Sequence, residues 1–154
     1  MTRQGRTMMK RAAAILLGLV LMGGAAFAAG SVSQSGRMGR GSGPDGFRPF
    51  NAMVQQYNAS GEEFRVDTHC QSACTLFLSI RNVCITPSAR LLFHAGHTRG
   101  PDRQINPRAT AHMMAAYNAP LRSYLQAGGY MDTLAFHTIS GRDMIAKFGY
   151  RACK

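Results

Sequence analysis

The sequence predicts a single exported domain of the α/β class, and three observations carry that reading. A basic stretch followed by an apolar run opens the chain, the segments beyond it alternate between helical and strand periodicity, and all four cysteines lie in that later part. A length of 154 residues with 45% apolar and 16% charged side chains fits one globular domain and excludes coiled-coil, collagen-like and disordered classes.

Arg3, Arg6, Lys10 and Arg11 precede an uncharged run from Ala12 to Ala28, where Ala26 and Ala28 frame Phe27. That is the layout of a secretory signal peptide, 1–28, cleaved after Ala28. The run falls short of the ~20 apolar residues that span a bilayer, and Gly18, Gly23 and Gly24 interrupt it. The mature chain is therefore expected in the periplasm or secreted, with no stable membrane span. Its charge is +7 rather than the +11 of the whole chain, because four of the 18 basic residues belong to the leader. Arg37, Arg40, Arg48, Arg65, Arg99, Arg103, Arg108 and Arg122 are scattered without an aromatic platform, so no nucleic-acid partner is expected.

Residues 29–45 are rich in Gly and Ser and read as a flexible arm. Phe47, Phe50, Met53, Val54 and Tyr57 then recur at helical spacing, with Asn58 and Gly61 as the stop. Phe64 to Thr68 alternates as a strand, and HCQSACTLFLSI opens with small residues into an apolar helix ending near Ile80. Val83 to Thr86 and Leu91 to His94 read as strands on either side of a Pro87 turn. After a polar loop over 95–107, Ala109 to Gln126 is helical with a break at Pro120, and Gly128 and Gly129 end it. Met131 to Thr138 and Arg142 to Phe148 read as short helical pieces, and Tyr150 to Cys153 as a last strand.

Cys70, Cys74, Cys84 and Cys153 form an even set in an exported chain, which points to two disulfides with three pairings open. No C-x-x-C pair is present, and His94 and His97 have no third ligand in evident reach among His69, His112 and His137, so neither a metal nor another cofactor is expected.

Ser72 stands between a strand and an apolar helix, where a nucleophile would be exposed and backbone N–H groups could hold an oxyanion. A serine needs a base to remove its proton, and His94 closes a strand that can return to it. A helix N-cap serine and a strand-end histidine are the plainer roles of the same two residues.

The span THCQSACTLFLSIRNVCITPSARLLFHAGH resembles the motif pair of the Clp-protease proteolytic subunit and its secreted relatives in the ClpP/crotonase superfamily. It is similar in particular to small exported bacterial proteins with C-x-S-A-C-T (Cys70 to Thr75), V-C-I-T-P (Val83 to Pro87), F-H (Phe93, His94), a Tyr117 to Pro120 segment and a late cysteine (Cys153). The resemblance covers about residues 43–153 and implies a small ClpP/crotonase-like domain over 46–154, reduced at its N-terminus. It further implies a serine hydrolase acting on a peptide or acyl substrate, with Ser72 as nucleophile, His94 as general base, and the amides of Ala73 and Gly46 as the oxyanion hole. Asp132 is the nearest candidate for the third member that orients His94. The same resemblance pairs Cys84 with Cys153 and leaves Cys70 with Cys74.

Asp45 stands where a glycine is expected in the 43–46 turn, and a core strand before that turn is not evident. Both departures favour the alternative, a catalytically inactive exported binding or structural module of the same fold. An uncovered sheet edge would also favour a homo-oligomer.

Overall fold

The computed structural model describes residues 30–31, 46–98 and 100–154. The predicted signal segment, and the predicted arm apart from Gly30 and Ser31, lie outside the described residues.

Helix α1 (Arg48–Ser60) takes Pro49 into its first turn, where the missing N–H removes no helical hydrogen bond. It stops at Gly61, whose φ of 74° places it in the left-handed region and whose N–H donates to the Tyr57 carbonyl at 2.9 Å. The apolar face predicted from the sequence packs inward: Phe50 lies 5.5 Å from the Phe77 ring and Tyr57 5.0 Å from Phe64.

The strands form two three-stranded sheets. In the first, β1 (Gly30–Ser31), β2 (Phe64–Val66) and β4 (Val83–Ile85) run parallel in the order β1-β2-β4, with Phe64 opposite Val83. In the second, β3 (His69–Gln71) pairs in parallel with β5 (Arg90–Phe93), and β6 (His137–Ser140) closes the other side of β5 antiparallel. Thr86 N donates to Val66 O and Arg90 N to Thr68 O, so the pairing continues across the breaks between β2 and β3 and between β4 and β5. Every residue of β4, and Leu91, Leu92 and Phe93 of β5, is buried, as expected of strands covered on both faces.

A 3₁₀ helix, η1 (Ser72–Ser79), makes the crossover from β3 toward β4 and buries Thr75, Leu76, Phe77 and Leu78. Helices α2 (Pro107–Ala115) and α3 (Ala119–Ala127) follow, each with an asparagine N-cap, and α4 (Gly141–Ala146) completes the set under a Ser140 cap. The break before Pro120 falls where the sequence predicts it.

The α/β class stands, and five readings need correction. His69 to Gln71 is a strand, not the start of a helix, because its alternation (exposed, buried, exposed) pairs it with β5. The following helix is 3₁₀ rather than α. Met131 to Thr138 is not helical: Gly128 and Gly129 lead into a turn, and the segment ends as β6, where Ile139 is drawn against Leu91. Tyr150 to Cys153 contributes one bridge, Ala152 to Ile85, rather than a full strand. Gly30 and Ser31, assigned to the arm, pair with Phe64 and Arg65.

Two disulfides are present, Cys70–Cys74 and Cys84–Cys153, and no described cysteine is free. Both suit an oxidising compartment. Among the described residues no helix is long and apolar enough to cross a membrane.

Candidate active site

Parallel pairing of β3 with β5 sets Gln71 opposite Leu92, so Ser72 and His94 both leave the same end of the sheet from adjacent strands. With strands ~4.8 Å apart and ~3.3 Å per residue, that register puts their backbones about 6 Å from one another.

Ser72 has φ 54°, the only left-handed value among the described non-glycine residues. Such a conformation costs a side-chain-bearing residue on the order of 1 kcal/mol and persists only where the surroundings impose it. Here three constraints do so. Cys70 and Cys74 are bonded to each other across Ser72, with Cα atoms 5.3 Å apart. Thr75 Oγ1 donates to the Ser72 carbonyl at 2.7 Å. Tyr117 OH lies 2.6 Å from the same Thr75 oxygen and, since that hydroxyl's proton is already committed, is the donor. Burial pushes the Tyr117 phenol far above its ordinary range, with Tyr150 adding to the shift and the Thr75 bond opposing it, so the proton stays on Tyr117. The result is a sharp strand-to-helix elbow with Ser72 partly exposed at its tip and Ala73 just behind it, in the first turn of η1, where N–H groups have no intrahelical acceptor.

Thr75→Val replaces the hydroxyl with a methyl of the same shape and leaves both Tyr117 OH and the Ser72 carbonyl short of a partner. A loss of about 2 kcal/mol is expected in urea denaturation, against about 1 kcal/mol for Tyr117→Phe. A Thr75→Val protein as stable as the parent would show that these bonds do not hold the elbow.

His94 is 3% exposed, and neither ring nitrogen has a hydrogen-bond partner of good geometry among the described residues. Its ring meets Phe136 edge-on at 4.8 Å and His97 at 5.7 Å. Burial is the main cause that holds its pKa below the ordinary imidazole value; His97 and Arg103 push the same way, and the Ala95 backbone opposes. His94 is therefore neutral near pH 7, which is the form that accepts a proton.

Ala95 N donates to Thr133 O at 2.8 Å, which brings the segment containing Asp132 alongside the end of β5. The Asp132 carboxylate itself is exposed and makes no hydrogen bond to His94. Gly46 lies just before α1 and lines a cleft of about 960 Å³ between α1 and α2, together with His97. Asp45 is outside the described residues. Among the described residues no three or more His, Cys, Asp or Glu side chains gather as a metal site.

Sequence reasoning missed Thr75, Tyr117 and Phe136. The first had a usable signal, since a threonine three residues into a helix commonly bonds back to the carbonyl at its start. Tyr117 enters only as the first residue of the Tyr117 to Pro120 segment, with no partner to suggest its role, and Phe136 falls in the segment misread as helical.

The chain matches no protein-family model, and no significant similarity was found to curated proteins or to solved structures.

Proposed function

We propose that the chain is an exported serine hydrolase of the ClpP/crotonase type, acting on a peptide or acyl carbonyl. The single observation that carries this reading is the left-handed, disulfide-clamped Ser72 elbow on the strand beside the one that delivers a buried, neutral His94. Ser72 Oγ bonds to the carbonyl carbon as its proton passes to His94 and the carbonyl electron pair moves onto oxygen, where the amides of Ala73 and Gly46 receive it. The bond to the leaving amine or alkoxide then breaks, and that group takes the proton from His94. Water repeats the sequence to release the acid and restore Ser72.

Asp132 is the candidate orienter, on the segment whose Thr133 carbonyl accepts from Ala95 N beside the end of β5. The lack of a well-aligned hydrogen-bond partner for the His94 ring nitrogens among the described residues favours the second reading, an inactive binding module, because loss of an orienting acid costs a triad dearly.

A fluorophosphonate probe decides between them. Phosphonylation of Ser72 with release of fluoride, abolished in Ser72→Ala and in His94→Ala, is the expected result by intact mass and peptide mapping. The absence of labelling on a protein shown folded by circular dichroism would overturn the hydrolase reading. Because the folded pKa of His94 is depressed, the base stays neutral as pH falls past 6.5, and labelling should persist below that value. The same depression makes the unfolded chain the better proton acceptor, so stability should drop as pH falls from about 6.5 through the folded value.

A further inference from the structure

His94 is closed off in the arrangement that the structure records. Both ring nitrogens are buried, and neither is bonded to Ser72 Oγ or to any other described group in good geometry, although the two residues leave adjacent strands. Two rings are set against it. His97 meets it at 5.7 Å and is itself tied down, its Nδ1–H donating to the Thr98 carbonyl at 2.7 Å. Phe136 meets it edge-on at 4.8 Å, carries no polar group that could tether it, and is 49% exposed.

The strand register explains why Phe136 stands there. Leu92 lies opposite Thr138 and Phe93 opposite His137, so the next antiparallel pair in the ladder is His94 with Phe136, and cross-strand partners project from the same face of a sheet. One step further the ladder ends, because Ala95 N donates to Thr133 O and the intervening residues turn away from β5. The backbone of Phe136 is therefore fixed on both sides, while its half-exposed ring is free to turn about its own side-chain bonds, a fast motion at a protein surface.

We propose that Phe136 is a gate on His94: with the ring inward the imidazole is shut off from Ser72 and from substrate, and with the ring turned out to solvent it is reachable. The role of His94 as base rests on the hydrolase reading, whereas the gate itself is a property of the ring pair. The inward state is held by one edge-on contact and a half-buried ring, so its advantage over the outward state is small, and every reaction at His94 is slowed by the fraction of time the ring spends inward.

The test reads the gate without turnover. Diethyl pyrocarbonate acylates neutral imidazole, and peptide mapping after timed exposure gives the rate at His94, with the exposed His69 as internal reference. His94 should react more slowly than His69 in the parent and about tenfold faster in Phe136→Ala, while Phe136→Tyr, which keeps the ring, should stay with the parent. By NMR, His94 should titrate closer to the ordinary imidazole value in Phe136→Ala, because burial is the main cause of its depression; His97 and Arg103 go on opposing its protonation. Fluorophosphonate labelling of Ser72 should quicken along with the acylation. A parent in which His94 reacts as fast as His69, or a rate unchanged by Phe136→Ala in a protein shown folded by circular dichroism, overturns the gate. Labelling of Ser72 that is present but no faster in the variant overturns it as well, since Ser72 would then already meet its base. Faster acylation of His94 with no labelling of Ser72 in either protein supports the gate while removing the hydrolase reading, so the two fail separately.

Discussion

A Cys84→Ala/Cys153→Ala protein is expected to lose about 4 kcal/mol of stability, because the bridge closes a loop of some 70 residues and its removal returns that loop's freedom to the unfolded chain. The bridge spans 69 positions, and Cys84 is completely buried in β4. It fastens the last segment to that strand, where Ile85 N donates to Arg151 O at 2.9 Å and Cys153 N to Ile85 O at 3.0 Å. Arg151 pairs with Glu63 at 2.9 Å, but both side chains are too exposed for that pair to substitute for the covalent link. Guanidinium unfolding curves of parent and variant measure the difference. Retention of the parent midpoint would mean that the two backbone bonds, which together make the Ile85–Ala152 bridge, hold the segment unaided.

Gly141→Ala is expected to destabilise by about 3 kcal/mol, at the upper end of what overpacking costs. A methyl at this position would sit 2.0 Å from the Thr86 carbonyl oxygen and 3.2 Å from Ala89 N, all of it backbone that cannot rotate away. Gly141 N also donates to Ala89 O at 2.7 Å, so the clash falls where the start of α4 is pinned to the turn between β4 and β5. The strain passes along β6, which faces β5 from Ser140 opposite Arg90 to His137 opposite Phe93. Thermal unfolding checks the stability loss, and the ring signals of His94 report whether the far end of β5 has moved. A Gly141→Ala protein that melts with the parent would show that the turn yields freely.

These features differ in how far the sequence announces them. Helix α1 is legible because Phe47, Phe50, Met53, Val54 and Tyr57 recur at helical spacing and Asn58 with Gly61 marks its end. Strands β4 and β5 are legible as short apolar runs around a proline turn. Strand β3 is not, since three residues cannot establish a period and His69 and Gln71 are polar because they face outward. Strand β6 is hidden for a related reason: its pairing with β5 is made by residues more than forty positions away, and only one of its four side chains is buried. In the candidate site, Ser72 and His94 are readable from residue type and placement at element ends. The left-handed turn at Ser72 is not, because it comes from constraints applied by Cys70, Cys74, Thr75 and, from a distant helix, Tyr117.

The two bridges also differ in when they can close as the chain emerges. Cys70 and Cys74 are four positions apart and meet as soon as the elbow is extruded, whereas Cys84 must wait until α2, α3, β6 and α4 have followed it before Cys153 arrives. During that wait Cys84 is an unmated thiol with two nearer sulfurs available to it. Early closure of the small ring withdraws both wrong partners, so the bond that clamps the serine elbow also directs the long bridge to its proper mate.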